Sequence, residues 1–265
     1  MPSVCERCSG GRPIGRGADA FILGAACLAV ACRPVAPPPP PPPPVIQWQA
    51  PTTLATATAP ATRGAVVAGR IIYTGPPITP RTIVSPVSRV AVLDESVVVN
   101  ADGTLCNVLV YVKSEFEGRT FATPRKPLVI DFRGTSFDPH VLAVQTHQLI
   151  QVRNCDPDVH NFHVIPAINT ERNHPQPPGG AAIMFTLPIP EIGIAVKDDI
   201  DPTLSMWIHV LAHPYFNVTN TAGVYRLEDL PPGTYVIEAW HEKLGTKQQT
   251  VTVKDGEVVS VDFRY

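Results

Sequence analysis

The sequence is short of charge and of catalytic words. Asp, Glu, Lys and Arg make up 17% of its 265 residues, and the net charge is −2. So small a charge of that sign provides no basic field to hold nucleic acid or to draw the chain onto an anionic membrane surface. A nucleophile elbow, a phosphate loop and a dinucleotide fingerprint are all missing. Ser, His and Asp are plentiful, yet none stands in a recognisable catalytic word. His241-Glu242 opens like a zinc-protease motif, but Gly245 occupies the place of its second His. The expectation is a protein that is not an enzyme.

What is present is proline, 31 residues of it, in a chain long enough for one large or two small domains with real cores. That balance predicts strands, turns and a linker rather than helices. Residues 1–32 read as an export signal, with Arg12 and Arg16 ahead of an apolar core from Phe21 to Ala31. The core is shorter than the ~20 residues that span a bilayer. Ala29-Val30-Ala31-Cys32 is close to a bacterial lipobox, although its usual Leu stands one place early, at Leu28. Lipidation of Cys32 is expected, which would make the membrane a partner and the bacterial cell envelope, periplasm or outer surface, the location. The alternatives are an ordinary cleavable signal or an uncleaved anchor. Cys5-Glu6-Arg7-Cys8 is a lone CxxC upstream of that core and is a weak zinc signal. Residues 33–63, with unbroken proline from Pro37 to Pro44, predict a disordered, extended polyproline spacer.

Beyond the spacer the pattern becomes that of strands. Gly64 to Gly75 reads as one, closed by Pro76-Pro77, and Asn107-Val108-Leu109-Val110-Tyr111-Val112 as another. Val141 to Val144 and Leu149 to Val152 are alternating runs bounded by turn residues, with an Asn154-Cys155-Asp156-Pro157 turn delivering His160 just past the second. Residues 76–95 are proline-punctuated and predict a covering loop with a short strand near Ser88 to Val92. The last third, from Val218 to Phe263, carries four more strand patterns around Leu230-Pro231-Pro232-Gly233.

These words resemble the cupredoxins, in particular bacterial cell-envelope proteins in which a cupredoxin-like unit accompanies a transthyretin-like (carboxypeptidase-regulatory-like) segment. The resemblance is carried by Phe137-x-Pro139-His140-Val141-Leu142-x-Val144, Asn154-x-Asp156-Pro157-x-x-His160-Asn161, Gln176-Pro177-Pro178-Gly179-Gly180, His213-Pro214-Tyr215-Phe216 and Ala239-Trp240-His241-Glu242-Lys243-Leu244-Gly245. It implies an all-β fold: a Greek-key cupredoxin-like β-sandwich over residues 117–216, inserted into a small transthyretin-like sandwich formed by residues 64–116 and 217–265. It also implies a copper site, which in blue-copper centres needs two imidazoles, a thiolate and a weak axial ligand. His160 matches the first ligand of the family. In the loop after Lys197, however, Asp198 stands for the usual Cys, Asp201 for the His and Leu204 for the Met.

Two readings of the site follow. Either the pocket is vestigial, with Asp201 accepting a hydrogen bond from His160 and no cofactor, or His160, His163, Asp198 and Asp201 hold copper or zinc in a non-blue geometry. The first makes the protein a binding or accessory-structural module with an envelope-protein partner, and the second a relative that handles copper. A third class is carbohydrate or peptidoglycan binding through Trp240, Tyr215 and Phe216, against the alternative that these aromatics pack in a core or interface. The cysteines that family members carry in the covering loop and after Gly134 are replaced here by Ser85, Ser88 and Thr135. Cys106 and Cys155 remain, as a disulfide in an oxidising compartment, as two buried thiols, or with Cys155 as a metal ligand.

Overall fold

The structure, a computed structural model, describes residues 63–79, 81–113, 116 and 119–265. The expected signal, Cys32 and its lipidation, the CxxC and all but the end of the proline spacer lie outside the described residues. Among the described residues there are strands and turns but no helix.

The strands in chain order are β1 (Ala65–Ile72), β2 (Thr82–Val84), β3 (Ala91–Leu93), β4 (Leu109–Val112), β5 (Leu128–Phe132), β6 (Phe137–Asp138) and β7 (Val141–Gln145). They continue with β8 (Ile150–Asn154), β9 (His160–Ile165), β10 (Arg172–Gln176), β11 (Ile183–Phe185), β12 (Glu191–Lys197) and β13 (Ser205–Leu211). The remainder are β14 (Phe216–Val218), β15 (Val224–Leu230), β16 (Gly233–His241), β17 (Gly245–Val253), β18 (Val258–Ser260) and β19 (Phe263–Arg264). The all-β expectation holds. The covering loop is more ordered than its composition suggested, because β2 and β3 pair as a small antiparallel hairpin.

Two sandwiches share this chain. In one, the sheet β10-β9-β12-β13-β7 faces the sheet β11-β8-β5-β6 across Phe132, Phe137, Phe162, Ile150, Met206 and Ile208, all at most 2% exposed. In the other, β15-β1-β18, with β19 also on β1, faces β14-β4-β16-β17 across Val67, Ile71, Val110, Tyr225, Ile237 and Phe263. The alternating runs on β7 and β8 do not form a hairpin. They lie in opposite sheets, β7 parallel to β13 and β8 parallel to β5, so the chain crosses the sandwich between them.

The period of two along a strand explains how the sandwiches join. On β4 every residue is buried: Val110 and Val112 enter one core, while Leu109 and Tyr111 meet Leu211 at the junction. On β13 the same division sends Met206, Ile208 and Val210 into the other core and leaves Trp207, His209 and Leu211 on the opposite face. Trp240 packs into this junction, 5.4 Å from the Trp207 ring and 4.4 Å from the His209 ring between centroids. Tyr215 is buried, and Phe216 and Trp240 are half-buried in packing contacts. At Gly69 the carbonyl of Val261 lies 1.9 Å from where a Cβ would stand, so only glycine lets that segment close against β1.

Candidate functional site

The Asn154-Cys155-Asp156-Pro157 segment forms an Asx turn, since the Asp156 backbone N–H donates to Asn154 Oδ1 at 2.9 Å. Asn154 Nδ2 donates in turn to the carbonyls of Asp158 (2.7 Å) and Gln176 (2.8 Å), which pins the turn to β10. The turn presents the Asp156 carboxylate to the backbone N–H groups of Gly134 (2.6 Å) and Thr135 (3.2 Å) and to His160 Nε2 at 3.2 Å. His160 therefore opens β9, rather than sitting in a loop past β8, and its ring is 4% exposed.

The other side of the ring meets the loop between β12 and β13. Asp198 Oδ2 lies 2.7 Å from His160 Nδ1, while Asp198 Oδ1 accepts from the backbone of Asn161 (3.1 Å), Ile200 (2.8 Å) and Asp201 (3.2 Å). Below, Phe132 stacks flat on the imidazole, 4.5 Å between centroids with planes 5° apart. Both ring nitrogens thus point at carboxylate oxygens. A neutral imidazole has one N–H and can donate to only one of them, whereas an imidazolium donates to both. Burial opposes that charge, but the hydrogen bonds and charges of Asp156 and Asp198 outweigh it and raise the pKa to about 9. Burial likewise opposes ionisation of Asp156, yet His160 and the Gly134 and Thr135 amides hold its pKa below the usual value.

The four residues singled out as a metal set are not brought together. Asp201 is 2% exposed but faces away from the ring, bonded to the hydroxyl of fully buried Ser85 and to Thr203 through its backbone N–H (3.1 Å) and hydroxyl (2.6 Å). The acceptor for His160 is Asp198, not the expected Asp201. His163 leaves the group for a geometric reason: three residues along a strand is an odd step, so it lies on the opposite face from His160. There its Nδ1 lies 2.8 Å from Asp199 and its Nε2 2.8 Å from Glu171. Leu204 and Met206 are both buried in the apolar core. Among the described residues no group of three or more His, Cys, Asp and Glu is disposed to hold a metal.

The donor chemistry agrees. A metal ion needs an imidazole lone pair, and with a pKa of about 9 the ring keeps its proton at pH 7 against roughly 100-fold competition. Copper or zinc would have to remove that proton and break one carboxylate contact.

Cys106 and Cys155 are not bridged to one another. Cys106 is buried near Asn100 Nδ2 (3.5 Å), while Cys155 is half-buried in the turn, so the pair of buried thiols is met at one position only. Ser88 Oγ is 3.0 Å from Thr135 Oγ1. His140 and His213 anchor loops, His140 against Glu242 and His213 by donating from Nε2 to the Val112 carbonyl at 2.9 Å. Asp156, Ser85 and Phe132 belong to the site and were not singled out beforehand as its residues. The one advance signal was the turn word placing Asp156 four residues before His160.

No family model matches this sequence, and no curated protein matches it. Similar solved structures include a copper-containing nitrite reductase from Thermus scotoductus, at 21% identity over 36% of this chain with a TM-score of 0.29. This chain spans only 24% of that protein. A reduced amicyanin mutant is 16% identical over 38% of this chain and 98% of its own, TM-score 0.30. A purple cupredoxin from Nitrosopumilus maritimus is 14% identical over 31% of this chain and 98% of its own, TM-score 0.27. These likenesses are confined to about a third of the chain and say nothing of its chemistry.

Proposed function

We propose that this chain is a non-catalytic binding or accessory module of the bacterial envelope, in which a cupredoxin-like sandwich carries a proton where its relatives carry a metal. The observation that supports this reading is the engagement of both His160 nitrogens by carboxylates, 2.7 Å to Asp198 and 3.2 Å to Asp156. A buried imidazolium between two carboxylates ties three segments together: the turn before β9, the loop after β12 and, through Asp156, the Gly134-Thr135 corner. In this reading the triad is a structural clamp, and the proline spacer and lipidated Cys32 hold the sandwiches away from the membrane.

Metal analysis of the purified chain at pH 7 tests it. Less than about a tenth of an equivalent of bound copper or zinc is expected after incubation and desalting. Stoichiometric metal that disappears in His160→Ala would overturn the reading in favour of a copper-handling protein. Anchoring is tested separately by metabolic labelling with palmitate, which should be lost in Cys32→Ser.

A further inference from the structure

A cavity of about 660 Å³ opens beside the junction of the two sandwiches, within the usual range for small-molecule sites and sharing no residue with the His160 triad. Leu211 and Ala212 line it on the junction side, and Phe116 and Phe121 form a wall, edge to face at 5.6 Å. The rim carries three isoleucines that a folded chain would ordinarily hide: Ile165 is 38% exposed, Ile168 61% and Ile192 36%. Clustered exposed apolar side chains around a concave apolar surface mark a binding region.

The polar groups of the lining are nearly all spent on the protein itself. Tyr111 donates its hydroxyl to Glu238, and Lys113 is paired with the same carboxylate at 2.7 Å. His213 uses both ring nitrogens, accepting from the Tyr215 N–H at 3.2 Å and donating to the Val112 carbonyl. Glu191 accepts from the backbone N–H groups of Ala167, Ile168 and Asn169. Arg119 is the exception: it lines the cavity, is exposed, and its guanidinium has no hydrogen bond or ion pair among the described residues.

A ligand for this cavity therefore needs hydrocarbon for most of its length and one anionic group. A peptide fits poorly, because its amides would be buried against walls that offer them no partners. We propose that the cavity binds a long-chain carboxylate, with the acyl tail against Phe121, Ile168 and Ile192 and the carboxylate at Arg119. This goes beyond the function proposed above and stands or falls separately from it, since copper uptake at His160 would leave it untouched.

Isothermal titration of the full chain with saturated carboxylates from octanoate to dodecanoate, below their micelle concentrations, tests it. Binding at one equivalent is expected, tightening about fourfold per added methylene while the tail still gains apolar contact. Arg119→Gln should weaken dodecanoate about tenfold and leave dodecanol unchanged, because only the acid makes a charge-assisted contact. Ile168→Asp, an exposed change at the rim that leaves the core intact, should weaken dodecanoate by at least about tenfold. The proposal is overturned if no carboxylate binds the wild type. It is equally overturned if affinity does not depend on chain length, or if Arg119→Gln alters acid and alcohol alike.

Discussion

Stability should fall as pH rises from 6.5 to 9, and the fall should belong to His160. The ring's pKa is about 9 in the folded chain and 6.5 in its absence, a difference of 2.5 units. At about 1.4 kcal/mol per unit, its proton contributes on the order of 3 kcal/mol. Because the folded value is the higher one, that contribution is complete below pH 6.5, where both states hold the proton equally. Between 6.5 and 9 folding takes up a proton that the unfolded chain has lost, and the contribution declines to nothing by about pH 9. Asp156 reports the same contact from its other partner, so the two shifts are one energy counted once. Its lowered pKa makes the complementary loss appear only in acid, as pH falls through the carboxylate range.

Two buried histidines with strongly depressed values do not blur this window. His209 is buried with a pKa pushed down to about 3, and His241, also mainly through burial, to about 4. A depressed histidine is stabilising above pH 6.5 and costs stability only as pH falls below that, so neither titrates between 6.5 and 9. Urea denaturation of the wild type and of His160→Gln at pH 6, 7.5 and 9 isolates the effect as a difference. With a urea dependence of ~2 kcal/mol per molar, the wild-type midpoint should drop by about 1.5 M relative to the variant across that range. A difference flat from pH 6 to 9, or a ring pKa of 6.5 or lower by NMR titration, would refute the doubly bonded imidazolium.

Three further outcomes follow from particular contacts. Asp198→Asn should cost about 1.5 to 3 kcal/mol in chemical denaturation and bring the His160 pKa down from about 9, since it removes one of two charge-assisted bonds. Gly69→Ala places a methyl group on the Val261 carbonyl and should lower the melting temperature by at least the equivalent of about 1 to 3 kcal/mol, whereas Gly245→Ala, with nothing within 4 Å but a φ of +76°, should cost only about 1 kcal/mol. The hydroxyls of Ser88 and Thr135 lie 3.0 Å apart, so a Ser88→Cys/Thr135→Cys double variant should form a disulfide on oxidation. Closing that 47-residue separation stabilises by at most about 4 kcal/mol, measured as the difference between oxidised and reduced protein.

A protonated histidine does part of what a metal would do in the same corner of a sandwich. It is a buried positive charge that draws in acceptors from several loops, and here the acceptors are the carboxylates of Asp156 and Asp198. The difference lies in strength and in exchange. Metal ligation can contribute about 10 kcal/mol or more to folding at structural sites, against the few kcal/mol of the imidazolium, and the proton equilibrates with solvent without a chaperone or a redox step.

Strand content was legible along the chain because an apolar side chain every second residue is a local pattern that needs no partner to be seen. The words around Leu109–Val112, Val141–Gln145 and Ile150–Asn154 all became strands for that reason. The many prolines and few charged residues likewise set the expectation of strands and turns rather than helices, and the described residues hold no helix. That residues 198–204 hold no Cys, His or Met could be read directly from the sequence.

Which carboxylate faces His160 could not be read that way. Asp198 and Asp201 are three residues apart in one loop, and only the loop's own backbone hydrogen bonds turn the first toward the ring and the second toward Ser85, more than a hundred residues away in sequence. Asp156 joins the ring because an Asx turn folds back over it, and His163 departs because β9 begins at His160 rather than after it. The junction of the sandwiches, with its cavity, exists only where β4 and β13 each divide their two faces between different cores. Alternation tells which residues are apolar partners of something; distances in the folded chain decide of what, because contacts between residues far apart in sequence leave no local trace.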